Sequence, residues 1–323
     1  MAVTNRGLND NIVQTKLDEL FFETYDKKKL IGHTDHTDSV LFNQDSMAQK
    51  NKVEALLKGI GDFNGVEEEG AIAGDTFEYG PVKTTTAIKY AKALEITEEL
   101  REDDGWGVVM NQVKQMGRKA RLTQDQNAFE IFRGAFTVTP TAHAGKFLCD
   151  STNANLNGDT VDNSLTGDFS ETVVDNMMKA LYKQIAHDGT LEGQVPSALL
   201  VSTDDWKEAC VLLDTDKVVG SNNNDINIYS NKFDISLKTS VYLGTGVGAQ
   251  VASGTIPAVT AGSDDAFFLL GDNHLINRYE RAPLTTKYRG EEYSDNEVAK
   301  YKARFREAYG AVDFLGIVGS TGL

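Results

Sequence analysis

One proline-free stretch, residues 103–136, limits the possible folds of this chain more than any other segment. Its apolar residues recur at helical spacing and are Trp106, Val109, Met110, Val113, Met116, Ala120, Phe129, Phe132 and Phe136. Apolar side chains three or four positions apart lie along one side of an α-helix. A continuous helix of about 30 residues would span about 45 Å, well beyond the usual length. The stripe therefore predicts a single long helix that acts as a spine for the elements around it.

A second segment, KYKARFREAY at residues 300–309, fits two kinds of secondary structure. Tyr301, Phe305 and Tyr309 recur every four residues, as on a helix. The same aromatic residues, together with Ala303, also lie on one side of an alternating pattern that is typical of a strand. The other side of that pattern consists of Lys300, Lys302, Arg304 and Arg306. Local periodicity leaves both interpretations open.

The composition is that of a globular protein and excludes several classes of function. With 323 residues, 40% of them hydrophobic, the chain can form two or three domains of about 100–200 residues. A formal net charge of -16 gives no overall basic surface of the kind that nucleic-acid readers carry. No apolar run approaches the roughly 20 residues of a membrane span, and the N-terminus lacks the apolar region of a signal peptide. Cys149 and Cys210 form no CxxC pair, so we expect both to be reduced and buried in a protein made in a cytosol.

The segments before the long helix predict a short helix, a polar arm and a pair of strands. Residues 11–25 have an amphipathic helical pattern, and we expect the polar stretch up to about residue 51 to form an extended arm. Residues 63–97 contain four glycines and three consecutive glutamates, followed by alternating apolar and polar residues. That alternation predicts a long two-stranded excursion.

The segments after residue 150 predict an α/β unit. Ser170 is positioned to cap an amphipathic helix that runs to about residue 187. SALLVS (197–202) and AFFLLGD (266–272) have the apolar density of buried strands. Ser202 or Thr203 is predicted to cap a second helix, and we expect Trp206 at its start to anchor the core.

Three patterns could indicate an enzyme, and each is weak. GTGVGA (244–249) satisfies a dinucleotide-binding spacing, but the small residues after it do not predict the helix that such a site needs. GHTDHTD brings together His33, Asp35, His36 and Asp38, which could hold a divalent ion, although their polar surroundings favour a solvated turn. There is no G-x-S-x-G motif, and none of the five histidines has a spacing that pairs it with a nucleophile. The sequence therefore predicts no catalytic residue, cofactor or metal.

The order of several motifs resembles that of a known family. Residues 143–213 contain a strand, a polar loop, the helix start LTGDFS, a helix, the strand PSALLV and a helix that begins near DDW. This succession is similar to the central part of tailed-phage major capsid proteins, particularly the group around the Mu head subunit. Residues 264–316 resemble the end of the same proteins, including the final AYGAVD. The resemblance covers most of the chain from about residue 60 onward.

The resemblance implies an α+β fold of the HK-ninety-seven type. The corresponding parts are an N-terminal arm (1–62), an extended-loop β-hairpin (63–97), a peripheral domain with a spine helix (about 103–136) and a long sheet (98–167 and 271–312), and an axial α/β domain (168–270 and 313–323). It also assigns KYKARFREAY to a long strand, with the aromatic side packed on the spine helix and the cations on the open face. Because only about 60 residues precede the hairpin, we expect scaffolding to be done by a separate protein.

The function that the resemblance implies is structural rather than enzymatic. Subunits would associate into hexamers and pentamers of an icosahedral phage head. The head would enclose double-stranded DNA contacted without sequence specificity, carry a portal and decoration proteins, and assemble in the host cytoplasm away from any membrane. The alternatives are an encapsulin-like bacterial compartment shell and a soluble α/β enzyme.

The resemblance also predicts which charged residues lie at subunit interfaces. The hairpin would contribute Glu67, Glu68, Glu69, Lys83, Lys89 and Lys92, and the strand would contribute Lys300, Lys302, Arg304 and Arg306. We expect each group to face opposite charges on a neighbouring subunit. The alternative for the strand is a solvated row of charges that protects a sheet surface from aggregation.

Overall fold

A computed structural model gives the fold of the chain. It describes residues 6–27, 33–61, 63, 65–68, 70–72, 74, 78–97, 99–100, 107–143, 146–217, 226–248, 259–290 and 298–322. Its helices are α1 (Arg6–Lys27), α2 (Gly107–Arg133), α3 (Glu171–Tyr182), α4 (Trp206–Asp214) and α5 (Ile228–Lys232). Its strands are β1 (Asn43–Ser46), β2 (Asn51–Leu57), β3 (Tyr79–Thr86), β4 (Ile88–Thr97), β5 (Ser164–Leu165), β6 (Pro196–Val201), β7 (Ser236–Thr239), β8 (Phe267–Gly271), β9 (Ile276–Arg289), β10 (Val298–Ala311) and β11 (Ile317–Ser320).

Within the described residues the strands form three sheets. The first has the order β1-β9-β10-β4, with β10 antiparallel to both of its neighbours. The second has the order β5-β11-β8-β6-β7 and mixes parallel and antiparallel pairs. The third is the antiparallel pair β2-β3. None of the helices in the described part of the chain combines the length and the hydropathy that a membrane crossing requires.

The predicted spine helix is confirmed over Gly107–Arg133, while residues 103–106 lie outside the described part. Its first half packs against α1 and against the inner face of β10, in a cluster that includes Leu17, Phe21, Val113 and Tyr301. Gly117 permits the crossing of α1 and α2, because a Cβ there would collide with the backbone carbonyl of Phe21. The second half of α2 packs into a separate core, so one helix joins two cores.

KYKARFREAY is a strand, as the resemblance implied. Tyr301, Ala303 and Phe305 are buried, and Lys300, Lys302 and Arg304 are exposed. On the aromatic side, Tyr301 and Ala303 pack with α2, as predicted. The Phe305 ring instead stacks on Tyr90 of β4 at 5.1 Å, and the Tyr309 ring contacts Phe42 of the arm. Hydrogen bonds to β9 on one side and β4 on the other fix the strand, and these bonds override the helical spacing.

The alternation in β10 breaks near its middle. The register with β9 shifts between Arg304 and Arg306 and again between Arg306 and Glu307. A bulge of this kind adds a residue to one strand and turns the following side chains. As a result Arg306 is half-buried rather than fully on the open face, and Glu307 and Ala308 are both buried.

The two-stranded unit differs from the one predicted within residues 63–97. β3 pairs with β2, whose residues were assigned to the arm, whereas β4 pairs with β10 in the first sheet. The reason is burial: Ile96 belongs to the cluster around α2, and Leu94 packs against it. The apolar side of β4 is therefore used by the spine core, and the hairpin is β2-β3. The division of the chain into domains stays a prediction.

The α/β unit forms as predicted, with three corrections, of which the first is that α3 ends at Tyr182 instead of about residue 187. Ser170 caps α3 by accepting a hydrogen bond from the Val173 backbone at 3.4 Å. The helix α4, however, has Asp205 as its N-cap residue, because the Ser202 hydroxyl is used to bond the carbonyl of Asp264. Trp206 is 49% exposed, so the prediction that it anchors the core is wrong.

The cysteines are free thiols. Cys149 is buried in the core beside the second half of α2, as expected. Cys210 is only half-buried, because α4 turns Ala209 and Leu213 rather than Cys210 into the sheet. The prediction of two buried cysteines is thus right for one of them.

Candidate assembly surfaces

The open face of the first sheet gathers most of the cations predicted to act in assembly. Residues directly opposite each other in antiparallel strands share a face. Lys302 lies opposite Lys287, and Arg306 lies opposite Lys89. We call this surface the basic face, and its cations are Lys89, Lys287, Arg289, Lys300, Lys302, Arg304 and Arg306. Sequence analysis missed the β9 members, although their alternation with Leu284 and Tyr288 was a usable signal.

The charges of the basic face are only partly neutralised within the described residues. The Nζ atom of Lys300 lies 2.8 Å from an Oε1 of Glu95, in an exposed pair. Among the described residues, Lys302, Lys287 and Arg304 form no ion pair. Like charges directly opposite each other, such as Lys302 and Lys287, destabilise a sheet. The basic face therefore carries repulsion that an anionic surface would relieve.

The structure divides the lysines predicted for the hairpin among three places. Lys89 is on β4 and joins the basic face. Lys92 is on the other face of β4, opposite Ala303, and lines a groove between this sheet and α2. Lys83 is on β3, where its Nζ donates to the carbonyl of Pro140 at 2.7 Å, and burial lowers its pKa. Lys83 is thus held within the chain.

The groove beside Lys92 is an apolar concavity of about 500 Å³. Its apolar lining includes Tyr90, Leu94, Met116, Leu284 and Phe305. It lies where β4, the edge strand of the sheet, approaches the middle of α2. An edge strand next to an apolar groove can receive a further chain segment.

The hairpin presents apolar side chains to solvent. Its exposed apolar residues are Val53, Leu57, Ile60, Phe63, Val66, Ile72, Tyr79 and Val82. Glu67 and Glu68 are exposed among them, whereas Glu69 lies outside the described residues. Leu56, at the tip end of the β2-β3 ladder, is buried with Ala142 and Val312. Since an isolated hairpin is at best marginally stable, this contact holds the strand pair, and the exposed apolar side chains offer a surface for a partner.

The GHTDHTD motif is not a solvated turn. The His36 ring is 1% exposed, and its Nδ1 lies 2.6 Å from Asp125 Oδ1 on α2. Asp35 pairs with Arg121 on the same helix. Asp38 pairs with Lys238 at 2.7 Å. These three contacts attach the arm to distant parts of the chain, so the prediction of a solvated turn is wrong.

The electrostatics of these contacts favour an ionised Asp35. Burial would raise the pKa of Asp35, but hydrogen bonds from Thr37 and the charge of Arg121 lower it to about 2. Burial lowers the pKa of His36, although its bond to Asp125 opposes the shift. The arm is also anchored by apolar contacts, since Leu41 and Phe42 are fully buried. The arm is therefore part of the core at this point.

The Gly-rich segment offers no phosphate cradle in its described part. Residues 244–248 form turns, and the Thr245 backbone donates to Asp264 Oδ1 at 2.9 Å. A carboxylate in that position would repel a pyrophosphate. Residues 249–258, where a helix would have to follow, lie outside the described residues.

One cluster of titratable residues was missed by sequence analysis. His143, His187 and Asp313 come together although they are far apart in the sequence. No spacing rule could have grouped them, because only the fold brings the three segments into contact.

Comparison with known proteins gives one family match and several structural neighbours. Residues 81–320 match a family model described as phage capsid protein. No curated protein matches the chain. The capsid of cyanophage P-SCSP1u is similar with a TM-score of 0.57 and 12% identity, over 91% of this chain and 90% of that one. The capsid of Myoviridae phage XM1 is similar with a TM-score of 0.53 and 10% identity, over 88% of this chain and 90% of that one.

A virus-like particle from Pyrococcus furiosus is also similar, with a TM-score of 0.50 and 8% identity over 95% of this chain and 98% of that one. At such low identities these neighbours show the fold alone. They confirm the predicted α+β architecture with its spine helix and long sheet.

Proposed function

The chain belongs to the phage capsid protein family, and we propose that the basic face and the β2-β3 hairpin join its copies into the hexamers and pentamers of an icosahedral head. It is a structural shell protein whose place is the virion. Self-association follows from that role. The encapsulin-like alternative shares the fold, but the Pyrococcus furiosus particle is no more similar than the phage capsids.

The observation that carries the proposal is the hairpin with its exposed apolar side chains. Phe63 is 104% exposed and Ile72 is 86% exposed. Burying one such side chain is worth about 1.5–3 kcal/mol, so leaving several in water is costly unless a partner covers them. The groove beside β4 on a second copy offers an apolar surface next to an edge strand. The exposed Glu67 and Glu68 would meet cations there, with Lys92 at the rim of the groove.

A replacement of the hairpin tip tests this proposal. Residues 59–77 are exchanged for a short Gly-Ser turn, which keeps β2, β3 and the 2.9 Å pair between Lys58 and Glu78. We expect an unchanged melting temperature and circular dichroism spectrum but no shells in sedimentation velocity. The control is Ile226→Ser, which removes an exposed apolar side chain outside the hairpin. Full-sized shells from the tip variant would contradict the proposal.

The basic face is proposed to meet acidic residues of a neighbouring subunit. The chain has a net charge of -16, so acidic partners are abundant on every copy. The variant Lys302→Glu/Arg304→Glu should assemble poorly, most of all at low salt, where the Debye length is about 30 Å at 0.01 M. Lys183→Glu/Lys207→Glu is the control, because it makes the same change of charge on exposed residues of the α/β unit.

Two results would decide against this role for the basic face. Normal shell yield at every salt concentration would assign the cations to a solvated surface. Normal empty shells that package less DNA would instead assign them to contact with the DNA backbone, which is sequence-independent.

The other partners are proposed from the role of the protein in the virion. They are a separate scaffolding protein, a portal, decoration proteins and packaged double-stranded DNA, with assembly in the host cytoplasm. Co-expression experiments test the scaffolding protein directly. Correct shells formed by this chain alone would remove the need for it.

A further inference from the structure

Three side chains from separate segments meet beside the buried cluster that holds Leu56 of the hairpin. His143 follows α2, His187 follows α3, and Asp313 follows β10 directly. The Nε2 atom of His187 lies 2.6 Å from Asp313 Oδ2, and the Nε2 atom of His143 lies 3.6 Å from Asp313 Oδ1. One ligand atom from each residue can be chosen so that all lie within 4.8 Å of one another. Both imidazoles thus face one carboxylate.

The cluster is buried and its hydrogen bonding is incomplete. The side chains of His143, His187 and Asp313 are 12%, 8% and 3% exposed. His143 Nε2 is shielded from solvent and has no hydrogen-bond partner among the described residues, and the same is true of His187 Nδ1. A buried polar atom without a partner costs about 1–3 kcal/mol. His187 already contacts Asp313 through Nε2, so its Nδ1 is on the far side of the ring, whereas His143 Nε2 is on the side of the carboxylate. A group bound between His143 and Asp313 would therefore remove the cost of the unpartnered His143 Nε2.

We propose that His143, His187 and Asp313 bind a divalent transition-metal ion of the Zn²⁺ class. Imidazole nitrogen and carboxylate oxygen are ligands that Zn²⁺ accepts, whereas Ca²⁺ and Mg²⁺ prefer oxygen alone. Donor atoms about 2.0–2.1 Å from a tetrahedral ion lie about 3.3 Å apart. The observed separations of 2.6 and 3.6 Å, measured to the two oxygens of Asp313, lie on either side of that value. All three donor atoms lie within 4.8 Å of one another, so side-chain rotations would bring them around one ion. Three protein ligands leave one position for water.

The surroundings support the ligand geometry. The Phe314 backbone donates to Asp313 Oδ1 at 2.7 Å, which orients the carboxylate. The Phe314 ring lies 5.0 Å from the His143 ring and 6.0 Å from the His187 ring, so packing fixes both imidazoles.

The position of the site suggests what the ion does in the assembled head, a role that rests on the proposed function. Ala142 and Val312, the chain neighbours of His143 and Asp313, form the buried cluster that holds Leu56 at the tip end of the β2-β3 ladder. His187 brings in the loop after α3, from the α/β unit. A bound ion would join these three segments. It would hold the β2-β3 pair against the subunit at the point where the hairpin tip begins.

Metal binding by the full-length, unassembled chain tests the site. The protein is dialysed against a chelator, and Zn²⁺ uptake is then measured by mass spectrometry, with Co²⁺ as a visible spectroscopic probe. We expect one ion per chain and a visible spectrum typical of four- or five-coordinate Co²⁺. His143→Gln and His187→Gln should each lower the affinity at least about 10-fold. His33→Gln is the control, since His33 is half-buried between Phe129 and Tyr242, outside the cluster.

Several outcomes would overturn the proposal. If the wild-type chain shows no saturable Zn²⁺ binding, the proposal is wrong. It is also wrong if His143→Gln and His33→Gln lower the Zn²⁺ affinity equally. If His187→Gln fails to fold, the Zn²⁺ affinity of His143→Gln, a change at a more exposed residue, still tests the site. Because the assay uses unassembled chain, its result is independent of shell formation, which electron microscopy reports separately.

Discussion

The sheet of the α/β unit and the β2-β3 hairpin are both built from short strands, yet they differ in what covers them. Every residue of β8 is buried, and in β6 only Ser197 is half-exposed. In β2-β3, by contrast, only Leu56 and Thr85 are buried. The core of the α/β sheet is thus formed within one chain. The hairpin has an antiparallel ladder with one register shift but no core of its own, so its stability depends on a surface outside it.

Truncation of a core aromatic residue should have the largest effect on folding. Phe268 is fully buried and packs on Phe132 and Phe136, with ring centroids 5.4 and 5.5 Å away. Phe268→Ala should lower the free energy of unfolding by about 3–5 kcal/mol. Urea denaturation of unassembled subunits measures this loss. A loss below about 1 kcal/mol would mean that this sheet is no better packed than the hairpin.

Glu307 should make the stability of the spine region depend on pH. Burial raises its pKa to about 7, although the charge of Arg278 opposes the shift. Because this pKa exceeds the ordinary value of 4.5, the folded chain holds the proton more tightly, and stability falls as pH rises between these values. Glu307→Gln should remove about 3 kcal/mol of this decrease in the free energy of unfolding, because each pKa unit corresponds to about 1.36 kcal/mol.

The measurement is the difference between the unfolding free energies of Glu307→Gln and wild type at about pH 5 and about pH 8. Burial lowers the pKa of His33, His36 and His274, which gives the opposite trend, but these groups are present in both proteins and cancel in the difference. Glu95→Gln, an exposed change on the basic face, is the control. A pH-independent difference would refute the role of Glu307.

A single substitution at the hairpin tip should have the smallest effect on folding. Phe63 touches so little of its own chain that Phe63→Ser should change the free energy of unfolding by no more than about 0.5 kcal/mol. Assembly should nevertheless weaken, because the side chain would be buried only in the shell. Urea denaturation and light scattering on the same preparation measure the two effects. If Phe63→Ser destabilises the chain as much as Phe268→Ala does, the hairpin tip is packed as well as the α/β sheet and this prediction is wrong.

The sequence predicted those elements whose pattern is unambiguous within one segment. The α2 stripe, the Ser170 cap and the strands around Leu199 and Phe268 needed no partner to be recognised. KYKARFREAY could not be assigned from its own pattern, because its aromatic spacing fits both a strand and a helix. Only the neighbouring strands decide between the two. Its assignment came from the resemblance and not from periodicity.

The errors concern contacts between distant segments. β2 has an alternating pattern of its own, with Val53, Ala55 and Leu57 on one side, and that signal could have identified it as the partner of β3. His36 gave no such signal, since its burial depends on Asp125 of the spine helix. The His143 cluster likewise exists only once the fold has formed. Polar residues in a short motif reveal their chemistry but not their burial.

The continuity of β10 has a mechanical consequence. This 14-residue strand is the centre of the first sheet, and only residues 312–316 separate it from β11 in the second. A head under internal pressure would stretch the path between the two sheets, and the tension would run along β10. Ladder hydrogen bonds are perpendicular to a strand, so a pull along its axis shears many of them at once instead of opening them one by one. The subunit thus resists tension along the direction in which its longest ladder runs.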